Sequence, residues 1–113
     1  MGYFVGATFI TTTLAASSFT SVYSIVLPVG SWMLLGNLSF PSSSTYVSLS
    51  ISSTNNTTDL NAATLVSGAG LMGLQVTRYL IVTSGTQTWY LVAGNAGAGQ
   101  TATNSGFTAT RIG

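Results

Sequence analysis

The apolar positions of this chain recur with a period of two. From Thr45 to Ser52 the alternation is unbroken, with Val47, Leu49 and Ile51 on one side of an extended backbone and Ser48, Ser50 and Ser52 on the other. Successive side chains of a strand point to opposite faces, so this segment predicts a half-buried antiparallel strand, apolar side on a core and hydroxyl side in water. Tyr3 to Leu14 is a Thr-rich candidate strand. Ser21 to Leu27 is another, ended by Pro28, which has no N–H to give to a ladder. Pro28-Val29-Gly30 predicts a tight connection into Ser31 to Leu38, where Trp32, Leu34 and Leu38 share a face. Leu74 to Val82 and Gln87 to Ala93 flank Ser84-Gly85-Thr86 and predict a hairpin. Gly106 to Ile112 is the last strand. Phe40 to Ser44, Ser53 to Asp59 and Gly94 to Gln100 are turn-rich loops, and Leu60 to Val66 is compatible with one helical turn. No segment sustains a helical period. Strand signals separated by turns predict an all-β, antiparallel jelly-roll sandwich of about eight strands. No linker or break in composition divides the chain, so we expect a single domain over residues 1–113, with residues 1–16 a first strand or an N-terminal arm.

Charge then narrows the function. The 113 residues carry two basic and one acidic side chain, Arg78, Arg111 and Asp59, with no His and no Cys. A typical domain is about one-quarter charged. Here 16 Ser and 18 Thr take the place of charge. General acid–base catalysis, a Ser-His-Asp triad and paired-carboxylate glycoside chemistry all lack their residues, so no enzyme is expected. No metal site is expected either, because zinc wants Cys or His and calcium wants several carboxylates. The Gly-rich stretches at residues 68–73 and 94–99 have no Lys and no following helical pattern, so neither predicts a phosphate cradle or a nucleotide cofactor. Two arginines cannot form a basic stripe, which argues against nucleic acid. The first 27 residues are uncharged, so a basic signal-peptide n-region is missing. Their hydroxyls interrupt any membrane span. We therefore expect neither a cleaved leader nor a membrane partner. A net charge of +1 predicts poor solubility for a lone monomer and so points to an assembly. Few groups titrate between about pH 4 and 9, so that assembly should be nearly indifferent to pH there.

Interface candidates follow from the aromatic and charged positions. Trp89 and Tyr90 are adjacent and must face opposite sides of a strand. Tyr and Trp are enriched where a ring is buried while its polar atom finds a partner. Arg78 and Arg111 lie inside apolar strands, and the chain offers them only Asp59 and the carboxylate of Gly113. Tyr79, Trp89, Tyr90, Phe107, Arg78 and Arg111 are the candidate interface residues; each arginine is either exposed or carbonyl-bonded on the outer face, or makes an intersubunit contact, Arg111 meeting a carboxylate of a neighbouring copy or of another protein of the assembly.

Three stretches carry a family resemblance. Leu27-Pro28-Val29-Gly30-Ser31-Trp32 with Leu35-Gly36 is the first. Arg78-Tyr79-Leu80-Ile81-Val82 leading to Gln87-Thr88-Trp89-Tyr90-Leu91-Val92-Ala93 is the second, and Thr108-Ala109-Thr110-Arg111-Ile112-Gly113 is the third. From Leu27 onward the chain resembles the small jelly-roll domains of bacteriophage capsid decoration (cement) proteins and tail-fibre tips, which are similar to the TNF/C1q-like fold. The resemblance implies a homotrimer on the surface of a virion, clamping neighbouring copies of the major capsid protein. The alternative it implies is the receptor-binding tip of a tail fibre or spike, with Asn55, Asn56 and Trp89 as sugar-contacting suspects. A fibre tip follows a shaft, and the absence of one after Met1 favours the cement expectation. A self-assembling shell protein is a third and more distant reading.

Overall fold

The computed structural model describes residues 4–14, 18–40, 46–59, 63–67, 72–95 and 100–112. Its strands are β1 (Phe4–Leu14), β2 (Ser18–Phe40), β3 (Tyr46–Ser52), β4 (Ala63–Ser67), β5 (Met72–Asn95) and β6 (Gln100–Arg111). They hydrogen-bond in the order β1-β6-β2-β5-β3-β4, every pair antiparallel.

Among the described residues there are six continuous strands, two of them long enough to run through both layers. β2 joins two predicted strands into one, and so does β5. The expected hairpin at Ser84-Gly85-Thr86 does not form. Both of its arms pair with β2 instead, from Phe40 opposite Met72 to Ser18 opposite Asn95. A straight strand of 23 residues would run about 70 Å, yet the longest dimension of the molecule is 41 Å. The β2–β5 ribbon must fold, and it does so midway. Pro28 faces Thr86 while Gly30 faces Val82, so the register slips and extra β5 residues bulge out at this corner. Gly30 (φ 152°) and Gly85 (φ 62°) supply left-handed backbone there that other residues adopt only with strain.

Folding the ribbon makes two layers. Residues 30–40 of β2 and 72–82 of β5 lie with β6 and β1; residues 18–28 of β2 and 86–95 of β5 lie with β3 and β4. Contacts between the layers record the closure. Gly36 of the first layer approaches Leu91 of the second so closely that a Cβ on Gly36 would overlap the Leu91 Cδ1 methyl. The Tyr23 ring meets Phe107 edge-on, centroids 6.5 Å apart. Trp32, Leu34, Leu38, Phe40, Leu49 and Ile51 are among the side chains sealed between the layers.

Two local expectations are corrected. The hydroxyl face of β3 is not in water: Ser48, Ser50 and Ser52 are buried, as are Val47, Leu49 and Ile51. The side chains do alternate, but the chain after β3 folds back over Ser50 and Ser52, and Ser48 lies beside the Phe19 ring over Gly94. Asp59 N–H reaches Ser50 Oγ at 3.4 Å. Asn56 and Ser21 exchange two hydrogen bonds of 2.8 Å, N–H to Oγ and N–H to Oδ1. Val92, lying between Ser50 and Ser21 in the sheet, is buried beneath this loop. Serine suits such a surface because its Oγ can satisfy the polar backbone of a covering loop. The second correction is at Leu60 to Val66. Ala63–Ser67 is strand β4, paired with β3 from Ser50 to Tyr46, so the ladder offered by β3 overrides a weak helical preference. Residues 60–62 lie outside the described residues.

Candidate assembly surface

Alternation along the first layer divides its side chains between core and exterior. In β5, Leu74, Val76, Leu80 and Val82 are buried, while Gln75, Thr77, Tyr79 and Ile81 are exposed. In β2, Trp32, Leu34 and Leu38 are buried, while Met33, Leu35 and Asn37 are exposed. Register brings the exposed set into rows. Ile81 lies opposite Ser31, Tyr79 opposite Met33 and Thr77 opposite Leu35. On the other side of β2, Met33 faces Thr110 and Leu35 faces Thr108. Ile112 follows at the corner, its N–H bonded to the Ser31 carbonyl at 2.8 Å.

Among the described residues eight large apolar side chains are exposed. Five of them, Met33, Leu35, Tyr79, Ile81 and Ile112, belong to this one region, each between 37% and 56% exposed. Their neighbours on the face are Ser, Thr, Asn and Gln, and no charged side chain stands among them. A clustered apolar face with an uncharged polar margin is the signature of a surface made to be covered.

The charges are half-buried and lie off this face. Arg78 is opposite Leu34 and so points toward the core. Its Nη1 is 2.6 Å from Asp59 Oδ2 and 3.1 Å from the Ile51 carbonyl, and its guanidinium lies 4.8 Å from the centre of the Trp89 ring. The chain's one acidic side chain thus neutralises one of its two cations within the protomer. Arg111, opposite Trp32, packs over Gly30; a Cβ there would meet Arg111 Nε at 2.9 Å. Gly113 lies outside the described residues.

The expected interface residues therefore separate. Tyr79 is on the exposed face. Tyr90 is half-buried on the outer side of the second layer, between Ser24 and Ser52. Phe107 and Trp89 are buried in the protomer's own core, with Trp89 Nε1–H donating to Gln87 Oε1 at 3.2 Å. Arg78 is half-buried and engaged within the protomer by Asp59, the Ile51 carbonyl and Trp89. Burial also removes Trp89 as a ring on which a sugar could stack, and Asn56 is engaged with Ser21. Met33, Leu35 and Ile81, also on this face, are not among the expected residues. Their signal was present: Trp32 to Leu35 is apolar at every position, and a strand apolar on both faces must cover something with each.

No protein-family model matches this chain, and none of the curated proteins is similar to it in sequence. Solved structures are similar to it in shape. Against an Eiger TNF from S. frugiperda the TM-score is 0.63 at 10% identity, over 97% of this chain and 93% of that one. The fold is a TNF-like jelly roll. This jelly roll is also similar to a protein of Bacillus endospore appendages, a family of disulfide-linked pili, with a TM-score of 0.58 and 11% identity over 100% of this chain and 92% of the other. A chain of infectious bursal disease virus, Gx strain, matches the whole jelly roll with 34% of its own length, at a TM-score of 0.54 and 12% identity.

Proposed function

We propose that this jelly roll is a structural, non-enzymatic virion subunit: a bacteriophage capsid decoration protein that forms homotrimers and clamps copies of the major capsid protein from the outside. The observation that carries this reading is the uncharged apolar face around Met33 and Tyr79. The trimer is built by burying that face against neighbouring copies. Contacts made of methyls, rings and hydroxyls lose little to salt screening, which suits a part that must hold under changing ionic conditions. Three identical subunits present each weak contact to the shell three times, and the contacts reinforce one another without further chemistry. Resemblance to a chain of a virus and to a pilus protein supports a role in an assembly.

Particles lacking the protein test the reading. Cement predicts a copy number that scales with the coat subunits, and empty or leaking shells on heating or osmotic shock when it is missing. Particles that stay robust but fail to adsorb to cells would give the chain the receptor-binding role of a fibre tip instead.

A further inference from the structure

The two layers have four lateral edges, and edges left with unpaired N–H and C=O groups attract other strands. Each of three carries a contact from within the chain. The edge of β4 is tied to the edge of β5, where Thr64 Oγ1–H donates to the Gln75 carbonyl at 2.8 Å. The edge formed by residues 18–28 of β2 has its Ser21 N–H taken by Asn56 Oδ1, and it contains Pro28. The fourth edge is β1. Among the described residues nothing pairs with its outer side. It is 11 residues long, about twice the usual strand. FVGATFITTTL holds no charge and no proline, the usual guards of an edge. Register shifts between Thr8 and Ile10 and between Ile10 and Thr12 disturb its second half. Phe4 to Thr8 runs regularly against Thr110 to Gly106.

We infer that the Phe4–Thr8 edge of β1 pairs antiparallel with β1 of a second copy, about a two-fold axis at Gly6. Two identical antiparallel strands form a closed, self-complementary contact. With the axis at Gly6, glycine meets glycine where the strands cross, Val5 lies opposite Ala7, and Phe4 lies opposite Thr8. No like charges meet across such a pair, because the strand has none. The contact is independent of the sheet-face trimer and holds whether or not that trimer forms.

Cysteine cross-linking tests it cleanly, because the chain has no cysteine of its own. Opposed Cα atoms in such a pair are about 4.5–5.5 Å apart, within disulfide reach. Gly6→Cys should form a covalent dimer under mild oxidation at least about ten times faster than Thr12→Cys, which has no partner in this register. Equal rates, or no dimer from Gly6→Cys, would overturn the inference. If Gly6→Cys does not fold, native mass spectrometry of the unaltered chain decides. Pairs of protomers, or pairs of trimers, should grow with concentration and disappear in Thr8→Lys, which guards the edge. Trimers that survive Thr8→Lys keep this result separate from the sheet-face reading. A distribution that stops at one or three copies at every concentration overturns the two-fold pairing. So does cross-linking of β1 to a different shell protein in place of itself.

Discussion

Replacing Trp32 with alanine is expected to lower the stability of the fold by about 3–5 kcal/mol, the usual cost of emptying a large aromatic site in a core. Trp32 heads the largest fully buried side chains of the chain. Its position makes the loss more than one of volume. The residue sits two places beyond Gly30, and its Nε1–H donates to the Pro28 carbonyl at 3.0 Å, across the corner where β2 turns from one layer into the other. Trp32→Phe keeps most of the apolar volume but leaves that carbonyl without the indole donor. It should cost about 1–2 kcal/mol. Since a domain of this kind is stable by about 5–15 kcal/mol in all, the alanine variant should lose a large part of its unfolding free energy. Denaturant titration at fixed protein concentration measures both, concentration being held because association adds to apparent stability. Loss of less than about 1 kcal/mol in Trp32→Ala would mean that the corner is not built around this ring.

The second large effect is expected at the Arg78–Asp59 pair. Each side chain is about one-quarter exposed, 24% and 25%. The pair therefore lies between an exposed one, contributing about 0–1 kcal/mol, and a fully buried one whose disruption costs about 3–5 kcal/mol. Asp59→Asn and Arg78→Met should each lose about 2 kcal/mol. Asp59→Asn leaves the guanidinium against Trp89 and the Ile51 carbonyl without its counter-charge. Arg78→Met leaves a carboxylate at the layer flank. The double variant should lose much less than the sum, because no charge remains to be compensated, and a double-mutant cycle should give a coupling of about 1–2 kcal/mol. Losses that simply add, each below about 0.5 kcal/mol, would show the pair to be incidental. The pair also has a positional role. Asp59 lies in the loop that covers Ser50 and Val92, so losing it should expose β3 amides to hydrogen exchange before the rest of the sheet.

Much of this fold was legible because side-chain alternation is a local property. The apolar rows of β2, β3 and β5 read directly from the sequence, as did the positions at which each long strand breaks. What the rows pair with was not legible. Ser84-Gly85-Thr86 looks the same whether it closes a hairpin or bulges at a corner; the choice is made by the remote residues 18–40, which pair with both flanks. The burial of Ser48, Ser50 and Ser52 was hidden for a similar reason. Ser50 and Ser52 are covered by a loop whose path depends on Asn56 reaching Ser21, 35 positions earlier, and Ser48 lies beside the Phe19 ring over Gly94. At the surface, rarity and aromaticity were weak guides. Arg78, Trp89 and Phe107 drew attention because they are scarce or large, and the protomer uses all three internally. The exposed apolar face consists of ordinary residues, Met33, Leu35 and Ile81, which stand out only once the register with Tyr79 is known.

The claim that this neutral face is an association surface is tested most directly by the mass of the protein in solution. At micromolar concentration, light scattering or native mass spectrometry should find units of three chains, about 35 kDa for a protomer of 11.6 kDa. Met33→Lys, which places a charge at the centre of the face, should release folded protomers. A folded wild-type monomer of 11.6 kDa over the same concentrations, or a trimer untouched by Met33→Lys, would contradict the account.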